Sequence, residues 1–483
     1  MAALTATRLG RAISSQQLSL LRGRLRTRCL STHTVSSDPS KFTLAVAPAL
    51  EKDAVIEQLG ALRERKGHVS TPPSESSAAV VLATPTFTRW LTDESFMSAL
   101  LGTFASRDMQ VLAGVVDDIY APTTSGNPVS GFSILQGPAE CLLPSFNTPA
   151  APSHGRNAPR PASVQFSLPR GASGSLLSLN MPLANTVFQN GRESTLLACT
   201  WKRTPHSAFA LSHSIEKTRQ DVALAGPPPS LSVPLIPVTP PRRIAGCLGN
   251  IISQIEIDGA AVPASTELEN EVQGVYDRRA AAGNLNSEGM PVDIWALVST
   301  PQGTVSAETE DVLDSLEEAE FDGPEEERAV AASNVPAVEK LLMSGFQLHR
   351  ITSGGGGWDK RRGRLSLDPT WSTSDSDPDL NMMLNTTDSG PAILQRGLVS
   401  PGSYIQFLTC PNPSRSRVAQ PGASVVLGTS ATRAGEEIGP GPDVECFWGH
   451  FGALSRRHFF LEGRGSQGRV RTQVDTPFSY LSI

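Results

Sequence analysis

The chain has 483 residues, with 47 acidic residues against 41 lysines and arginines and a formal net charge of −6 at pH 7. Hydrophobic residues make up 39% and charged residues 18% of the chain, which excludes a charged, disordered protein. No apolar run approaches the roughly 20 residues that a membrane-spanning helix needs, so we expect a soluble protein of more than one folded unit.

Residues 1–30 carry an unusual charge distribution, with six arginines and no acidic residue. A segment that is rich in Arg and Ser, poor in acids and able to form an amphipathic helix is typical of a mitochondrial transit peptide. Arg28 is the third residue before a matrix-peptidase-like cleavage site, which lies between Leu30 and Ser31. The sequence therefore predicts a cleavable targeting segment over residues 1–30 and a mitochondrial protein of the matrix. The alternative is a disordered basic arm.

The first folded segment shows an alternation of strand and helix patterns. Residues 42–46 have the length of a short strand, and the apolar spacing in residues 51–65 is that of a helix. Residues 77–83 form a nearly continuous apolar run, which is typical of a strand buried on both faces. Residues 92–104 favour a helix with an acidic first turn, and residues 109–116 form a second buried-strand run. This order predicts a βαβ-type unit.

Four apolar residues mark the core that we expect in this unit. Leu82, Val111, Val115 and Ile134 lie in runs that are too continuous for strands with one solvent-facing side. We therefore expect all four side chains to be buried in one sheet.

The order of elements in residues 42–135 resembles the amino-terminal domain of the FIST family, the sensory modules named for F-box and intracellular signal transduction proteins. The resemblance rests on a leading helix, the apolar strand at 78–83, a second helix, the strand at 111–116 that turns at Gly114, and the run at 131–135. It implies a domain that senses a small molecule, with no catalytic residues to carry over.

Composition divides the chain into further regions. We expect a FIST-like α/β domain at 41–226 with a Pro- and Ser-rich insertion at 144–169, a Pro-rich connector at 227–241, a continuing α/β region at 242–307, an acidic linker or surface helix at 308–334 and a C-terminal α+β domain at 335–483. The predicted fold class is therefore α/β in a mixed α+β sense, with two sheet-containing units joined by Pro-rich and acidic linkers.

The most unusual segment combines four consecutive glycines with a run of basic residues between His349 and Arg364. Glycines let several backbone N–H groups approach one anion, and the adjacent Lys and Arg side chains add positive charge. The candidate anion- or ligand-binding residues are Ser353, Gly354, Gly355, Gly356, Gly357, Trp358, Lys360 and Arg362. The lysine lacks the Ser or Thr that a P-loop requires after it. The alternative is a flexible surface turn with solvated charges.

Asp117 and Asp118 end a predicted buried strand, where α/β sheets often place ligand contacts. They also depart from the glycine turn that is usual in the FIST family. These two carboxylates are therefore candidate ligand contacts, and the alternative is that they cap the next turn.

Other motifs are weaker indications of chemistry. A nucleophile motif of the G-x-S-x-G type is absent, and the G-x-G-x-x-G match at 463–468 has no following helix, so we interpret it as a hairpin turn. A metal could use Cys446, His450 and His458, but their spacing is loose. We therefore expect neither a catalytic set nor a metal site, and no pattern identifies a cofactor.

These patterns favour a non-enzymatic ligand-sensing or interaction protein of mitochondria, whose partner is a small molecule or a mitochondrial protein or RNA assembly. One alternative is an accessory factor of mitochondrial gene expression that contacts RNA or the mitochondrial ribosome through residues 349–364. A weaker alternative is an enzyme with an unrecognised site between the two units. An RNA role predicts a continuous basic face, whereas a small-ligand role predicts a pocket at the carboxyl ends of strands.

Overall fold

The computed structural model describes residues 30–34, 40–66, 77–123, 128–148, 161–170, 175–206, 208–281, 292–299, 305–316, 323–354, 363–368, 399–411, 422–430, 443–464 and 469–483. These residues form a mixed α+β fold, as the sequence predicts. No helix in these ranges combines the length and the apolar character needed to cross a membrane.

The strands, in chain order, are β1 (Leu30–Thr34), β2 (Lys41–Val46), β3 (Ala78–Ala83), β4 (Met109–Val115), β5 (Gly131–Gly137), β6 (Ser163–Arg170), β7 (Ser175–Pro182), β8 (Leu196–Arg203), β9 (Phe209–Glu216), β10 (Arg219–Ala223), β11 (Ser230–Ser232), β12 (Ile236–Pro237), β13 (Arg242–Leu248), β14 (Ile251–Ile257), β15 (Ala260–Pro263), β16 (Ile294–Val298), β17 (Gln347–Gly354), β18 (Leu365–Leu367), β19 (Tyr404–Thr409), β20 (Val425–Thr429), β21 (Val444–Trp448), β22 (Phe451–Ser455), β23 (Phe459–Arg464), β24 (Arg469–Val474) and β25 (Tyr480–Ser482). The helices are α1 (Lys52–Lys66), α2 (Glu94–Gly102), α3 (Ala139–Leu142), α4 (Val187–Asn190), α5 (Ala264–Ala281), α6 (Ala307–Asp314) and α7 (Pro324–Met343), with a 3-10 helix at Pro85–Thr92.

A central sheet contains the strands β1-β21-β2-β5-β3-β4-β8-β9 in that order. Strands β3 and β4 are parallel with helix α2 between them, which confirms the predicted βαβ unit, and β5 runs antiparallel to β3. Helix α2 begins after Asp93, whose carboxylate accepts a hydrogen bond from the N–H of Phe96 over 3.0 Å. This contact satisfies a backbone donor that has no partner within the first helical turn.

The middle strands β3, β4 and β5 of the central sheet are buried on both faces, as the continuous apolar runs predict. Leu82, Val111, Val115 and Ile134 are fully buried in it, which confirms the predicted core. Leu82 faces a large core that the sheet shares with other strands, whereas the other three side chains face a core that also contains residues of α1 and α2.

Two smaller sheets cover the inner face of the central sheet. In the described part of the chain, an outer sheet has the order β10-β6-β7-β23-β24, and a small sheet has the order β11-β25-β20-β22. Phe166 of the outer sheet and Leu427 of the small sheet lie in the same core as Leu82. Strand β6 alternates between buried apolar residues and partly exposed polar ones, which is the pattern of a sheet with one solvated face.

Most of the remaining strands form a barrel. Among the described residues, β13, β14, β18, β17, β16 and β19 pair in a closed antiparallel ring, because β19 pairs with both β13 and β16. The side chains of Ala296 and Phe407 lie in an apolar core of this unit. The buried pair of Arg279 in α5 and Glu327 in α7, with 2.5 Å between Nη2 and Oε1, joins these two helices beside the barrel.

Single sheets contain strands from more than one of the regions that the composition predicts. Strand β21 lies between β1 and β2 of the central sheet, and β23 pairs with β7 of the outer sheet. The Pro-rich segment 227–241 contains β11 and β12, and the acidic segment 308–334 contains most of α6 and the start of α7. Hydrogen-bonded strands therefore link the N-terminal and C-terminal regions, and α7 continues across the boundary predicted at 335.

The predicted hairpin at 463–468 is confirmed. Strands β23 and β24 are antiparallel, and Arg464 pairs with Arg469 at the turn. The turn residues 465–468 lie outside the described residues.

Candidate functional site

The Gly-rich basic segment connects β17 to β18 of the barrel. Gly354 is the last residue of β17 and pairs with Leu365 of β18, and the register shifts between Ile351 and Ser353. The side chain of Ser353 is exposed. The other candidate residues, Gly355, Gly356, Gly357, Trp358, Lys360 and Arg362, lie outside the described residues. Their role in binding an anion stays a prediction.

The predicted cleavage bond joins the first two residues of β1. Leu30 and Ser31 pair in parallel with Val444 and Glu445 of β21. A chain that begins at Ser31 would keep all of this strand except its first residue, so the predicted cut is compatible with the central sheet.

Asp117 and Asp118 follow β4 after one residue, Val116, at the carboxyl end of the parallel strand pair. Asp118 is fully buried and forms a two-point ion pair with Arg456, with 2.9 Å between Nε and Oδ2 and 2.8 Å between Nη2 and Oδ1. The backbone of Asp118 also pairs with Leu454 in β22. Asp118 therefore connects the central sheet to the small sheet.

Asp117 contacts the same turn through the backbone. Its carboxylate accepts hydrogen bonds from the N–H of Arg456 over 2.8 Å and from the hydroxyl of Ser455 over 3.4 Å. Burial raises the pKa of the Asp117 carboxyl, and the N–H of Arg456 opposes that rise. We call Asp117, Asp118 and Arg456 the carboxylate anchor. Its geometry is that of a structural connection, because both carboxylates are bonded to the protein's own groups.

A second ionisable group lies where β24 meets the barrel. Asp475 directly follows β24, and its Oδ1 accepts a hydrogen bond from the indole N–H of Trp295 in β16 over 2.7 Å. Burial raises the pKa of Asp475 to about 6, although the Trp295 N–H and the positive charge of Arg350 act against the rise. We call Asp293, Trp295, Arg350, His458 and Asp475 the junction cluster.

Arg350 gives the junction cluster a solvent-facing side. It pairs with Trp295 across β16 and β17, and its Nη2 lies 2.5 Å from Oδ1 of Asp293. The guanidinium carbon is 5.9 Å from the centre of the Trp295 ring. The side chains of Arg350 and Asp293 are both about half exposed, so a small molecule can reach this edge of the cluster.

His458 lies at the open end of the β23–β24 hairpin. It precedes Phe459, which pairs with Val474, and Val474 directly precedes Asp475. Burial lowers the pKa of His458 to about 4, so its ring is neutral at neutral pH. The charge of Asp368, which follows β18, acts on both His458 and Asp475. The residues just beyond the Gly-rich segment are therefore close to the junction cluster.

A third polar group is enclosed within the protein. Nδ1 of His450 lies 2.9 Å from the hydroxyl of Thr43, and that hydroxyl lies 3.3 Å from the hydroxyl of Ser133. All three side chains are fully buried, and burial lowers the pKa of His450 to about 3. A hydroxyl beside an imidazole is an arrangement used in nucleophilic catalysis. Complete burial leaves this group no surface for a substrate, and it acts in packing.

Metal ligands do not gather at any of these places. Within the ranges that the structure describes, no three His, Cys, Asp or Glu side chains are arranged to hold a metal ion.

The sequence predicts Asp117 and Asp118 of the carboxylate anchor, but it does not predict the junction cluster. Trp295 and Asp475 are 180 residues apart, and no motif connects them. Asp475 does follow a strand, but Arg469–Val474 alternates valine with polar residues and lacks the continuous apolar run that precedes Asp117. Arg456 carries no local pattern that points to Asp118.

The structure defines a mixed α+β protein with an ionisable cluster at the join of a sheet and a barrel. No family model matches the chain. No curated protein matches it either.

Proposed function

We propose that this protein is a non-enzymatic sensing module that binds a small molecule at the junction cluster. The observation that carries the proposal is the position of Asp475, a carboxyl group with a pKa raised to about 6, between the outer sheet and the barrel. Ionisable groups with perturbed pKa values are concentrated at functional sites, although structural ion pairs also shift pKa values.

The junction cluster combines residues from two bodies of strands. Trp295 and Arg350 belong to the barrel, whereas His458 and Asp475 adjoin the outer sheet. A ligand that contacts both would favour one arrangement of these bodies over others, and such a shift in population is how binding becomes a signal.

Two sequence features agree with this proposal. The resemblance of residues 42–135 to FIST modules implies sensing rather than catalysis. The Gly-rich basic segment at 349–364 includes Arg350 of the junction cluster.

We also propose that the protein acts in mitochondria, on the strength of the six arginines and the absence of acids in residues 1–30. Protein recovered from mitochondria should begin near Ser31, and deletion of residues 1–30 should leave a reporter fusion in the cytosol. An unprocessed chain that is excluded from mitochondria would contradict this location.

Thermal unfolding tests the sensing proposal. Fractions of a mitochondrial metabolite extract are added to the full chain, because a ligand at 100 times its dissociation constant stabilises a protein by about 2.7 kcal/mol. We expect at least one fraction to raise the melting temperature of wild type, and Asp475→Asn to lose most of that rise.

Asp117→Asn is the matched comparison. Asp117, like Asp475, is a buried carboxyl with a raised pKa close to the end of a strand, but it belongs to the carboxylate anchor. We expect Asp117→Asn to retain the ligand-induced rise. Loss of the rise in Asp117→Asn alone would move the site to the carboxyl end of β4, and no rise in wild type would contradict sensing.

The RNA alternative is decided by the salt dependence of binding. RNA held by residues 349–364 should dissociate steeply as ionic strength rises, and the Lys360→Ala, Arg362→Ala double variant should lose it. That pair of results would replace the sensing proposal with a role in gene expression.

A further inference from the structure

The loop between β7 and β8 exposes two adjacent apolar side chains. In its short helix α4, Phe188 is 93% exposed and Val187 is 43% exposed. The other large apolar side chains that are exposed in the described part of the chain are Leu176 and Leu248, which lie in two different strands. A single exposed apolar residue is ordinary on a protein surface, so the adjacent pair is the feature to explain.

Buried hydroxyl groups brace the base of this loop. The N–H of Thr186 donates to the carbonyl oxygen of Glu193 over 3.1 Å, and its hydroxyl donates to the carbonyl oxygen of Arg192 over 3.0 Å. That hydroxyl also lies 2.8 Å from the hydroxyl of Thr195, to which the side-chain amide of Asn190 donates over 2.9 Å. These contacts hold α4 in place, so little conformational freedom is left to lose when it binds another molecule.

Two unlike charges adjoin the exposed apolar pair. Nε of Arg89, in the adjacent 3-10 helix, donates over 2.7 Å to the carbonyl oxygen of Gln189, the residue after Phe188. Glu193 is bonded through its backbone to Thr186, the residue before the pair. The side chains of Arg89 and Glu193 are exposed, and neither forms an ion pair within the part of the chain that the structure describes. Both charges are therefore available to a partner.

The balance of charge favours a protein partner over a lipid surface. In the described residues, the exposed charged side chains of the loop and of the groups bonded to it are Arg89, Arg192, Glu193 and Glu216. Two of them are basic and two are acidic. A surface that binds anionic lipid carries an excess of basic residues, and this loop has no such excess.

A second copy of the chain carries the matching surface. In a contact with twofold symmetry, a patch faces itself, so a residue on one side of the axis meets a different residue of the same patch in the other copy. A patch with one positive and one negative group is therefore complementary to itself. An aromatic side chain between the two charges adds a favourable contact with its own counterpart.

We propose that two copies of this protein associate about a twofold axis through α4, with Phe188 at the centre of the contact and Arg89 of each copy opposite Glu193 of the other. A contact built from two loops is small, so the dimer is weak and reversible and forms as the protein concentration rises. The inference does not depend on the sensing proposal, because no residue of the junction cluster takes part in it.

Sedimentation velocity of the full chain, from about 1 to about 500 µM, measures the association. We expect the sedimentation coefficient of wild type to rise with concentration toward that of a dimer. Phe188→Ser should weaken the association about tenfold or more, and it should keep the wild-type melting temperature because the side chain is exposed. Leu248→Ser, which removes a 68% exposed side chain from β13, is the matched control and should leave the association unchanged.

Reversal of the two charges tests the twofold geometry. Arg89→Glu gives a patch with two negative groups, and Glu193→Arg gives a patch with two positive groups, so each variant alone should stay monomeric. Mixed in equal amounts, the two variants should form a heterodimer about tenfold or more tighter than either homodimer, because both charge contacts are then complementary. Glu193→Arg keeps the bond from Arg89 to Gln189, so its loss of self-association reports the charge alone.

Several results would overturn the inference. Wild type that stays monomeric over the whole range would remove the dimer, and equal weakening by Leu248→Ser would place the contact elsewhere. A mixture of the two charge variants that stays monomeric would contradict the twofold arrangement. In a flotation assay with vesicles of phosphatidylcholine and phosphatidylserine, binding of monomeric wild type that Phe188→Ser loses would assign the loop to a lipid surface instead.

Discussion

Burial of the Asp475 side chain disfavours the ionised form of its carboxyl group. Burial raises its pKa to about 6 from the ordinary 3.8, against the stabilising effect of the Trp295 N–H on the charged form. Between those two pH values the native protein holds a proton that the unfolded chain has released. The contribution of Asp475 to native stability therefore falls as pH rises from about 4 through about 6, and it stays low above that range.

Asp475→Asn tests this assignment. The amide oxygen of asparagine can still accept the Trp295 hydrogen bond, while the charge is removed. We expect wild type and variant to have similar free energies of unfolding near pH 4, and the variant to be more stable by about 3 kcal/mol at pH 7.5. Urea unfolding at several pH values measures the difference. A difference that is constant with pH would contradict the raised pKa.

The buried histidines destabilise the native state as the pH falls, whereas Asp475 destabilises it as the pH rises. Burial lowers the pKa of His349 and of His458 to about 4, and that of His450 to about 3. The unfolded chain takes up protons below about pH 6.5 that these native side chains do not, so acid weakens the native state. Wild type and Asp475→Asn both carry these histidines. The comparison between the two proteins therefore isolates the carboxyl.

At the scale of elements, the carboxylate anchor holds the end of β4 against β22. Asp118 is almost completely buried, whereas the side chain of Arg456 is 28% exposed. Removing one partner of a buried pair leaves the other without compensation, and a carboxylate without contact to solvent suffers more than a partly solvated guanidinium.

We therefore expect an asymmetry between two substitutions. Arg456→Met should lower the free energy of unfolding by about 3–5 kcal/mol, and Asp118→Asn by clearly less. The double variant should be less destabilised than the sum of the two, as contacting residues require. Chemical denaturation of the three variants measures these values.

Arg192→Met is the control for the anchor. Arg192 and Glu216 form an ion pair on the surface, 3.2 Å apart and about half exposed, so its loss should change stability by less than about 1 kcal/mol. Equal effects of Arg456→Met and Arg192→Met would mean that burial does not strengthen the anchor.

At the scale of the whole molecule, the last part of the chain completes sheets that the first part begins. Strand β21 separates β1 from β2, β23 extends the outer sheet beyond β7, and β19 closes the barrel. Without them, β2 and β7 would present unpaired backbone groups at new sheet edges.

Cutting the chain tests this interdependence. A break between residues 383 and 384 falls outside the described elements and separates β19 to β25 from the rest. We expect the fragments 31–383 and 384–483 each to lack a cooperative unfolding transition, and the co-expressed pair to copurify and recover one. Circular dichroism melting measures this. Cooperative unfolding of 31–383 alone would show that the N-terminal part folds as an independent domain.

Local sequence patterns were sufficient to predict much of the central sheet. The apolar runs that contain Leu82 and Val115 predict strands buried on both faces, and they are such strands, because continuous apolar sequence has no solvated alternative. Asp93 predicts the start of α2, since its short carboxylate reaches a backbone N–H of the first turn. These features depend on residues within a few positions of each other, so the sequence alone predicts them.

Strand partners and the candidate site required the three-dimensional arrangement. Strand β21 is an ordinary short apolar strand, and nothing in its sequence specifies a place between β1 and β2, because many apolar strands can fill the same position. The pKa of Asp475 depends on how completely Trp295 and the barrel exclude water from it. Burial and strand pairing of this kind arise between residues that are 180 or more positions apart, so a pattern along the chain cannot contain them.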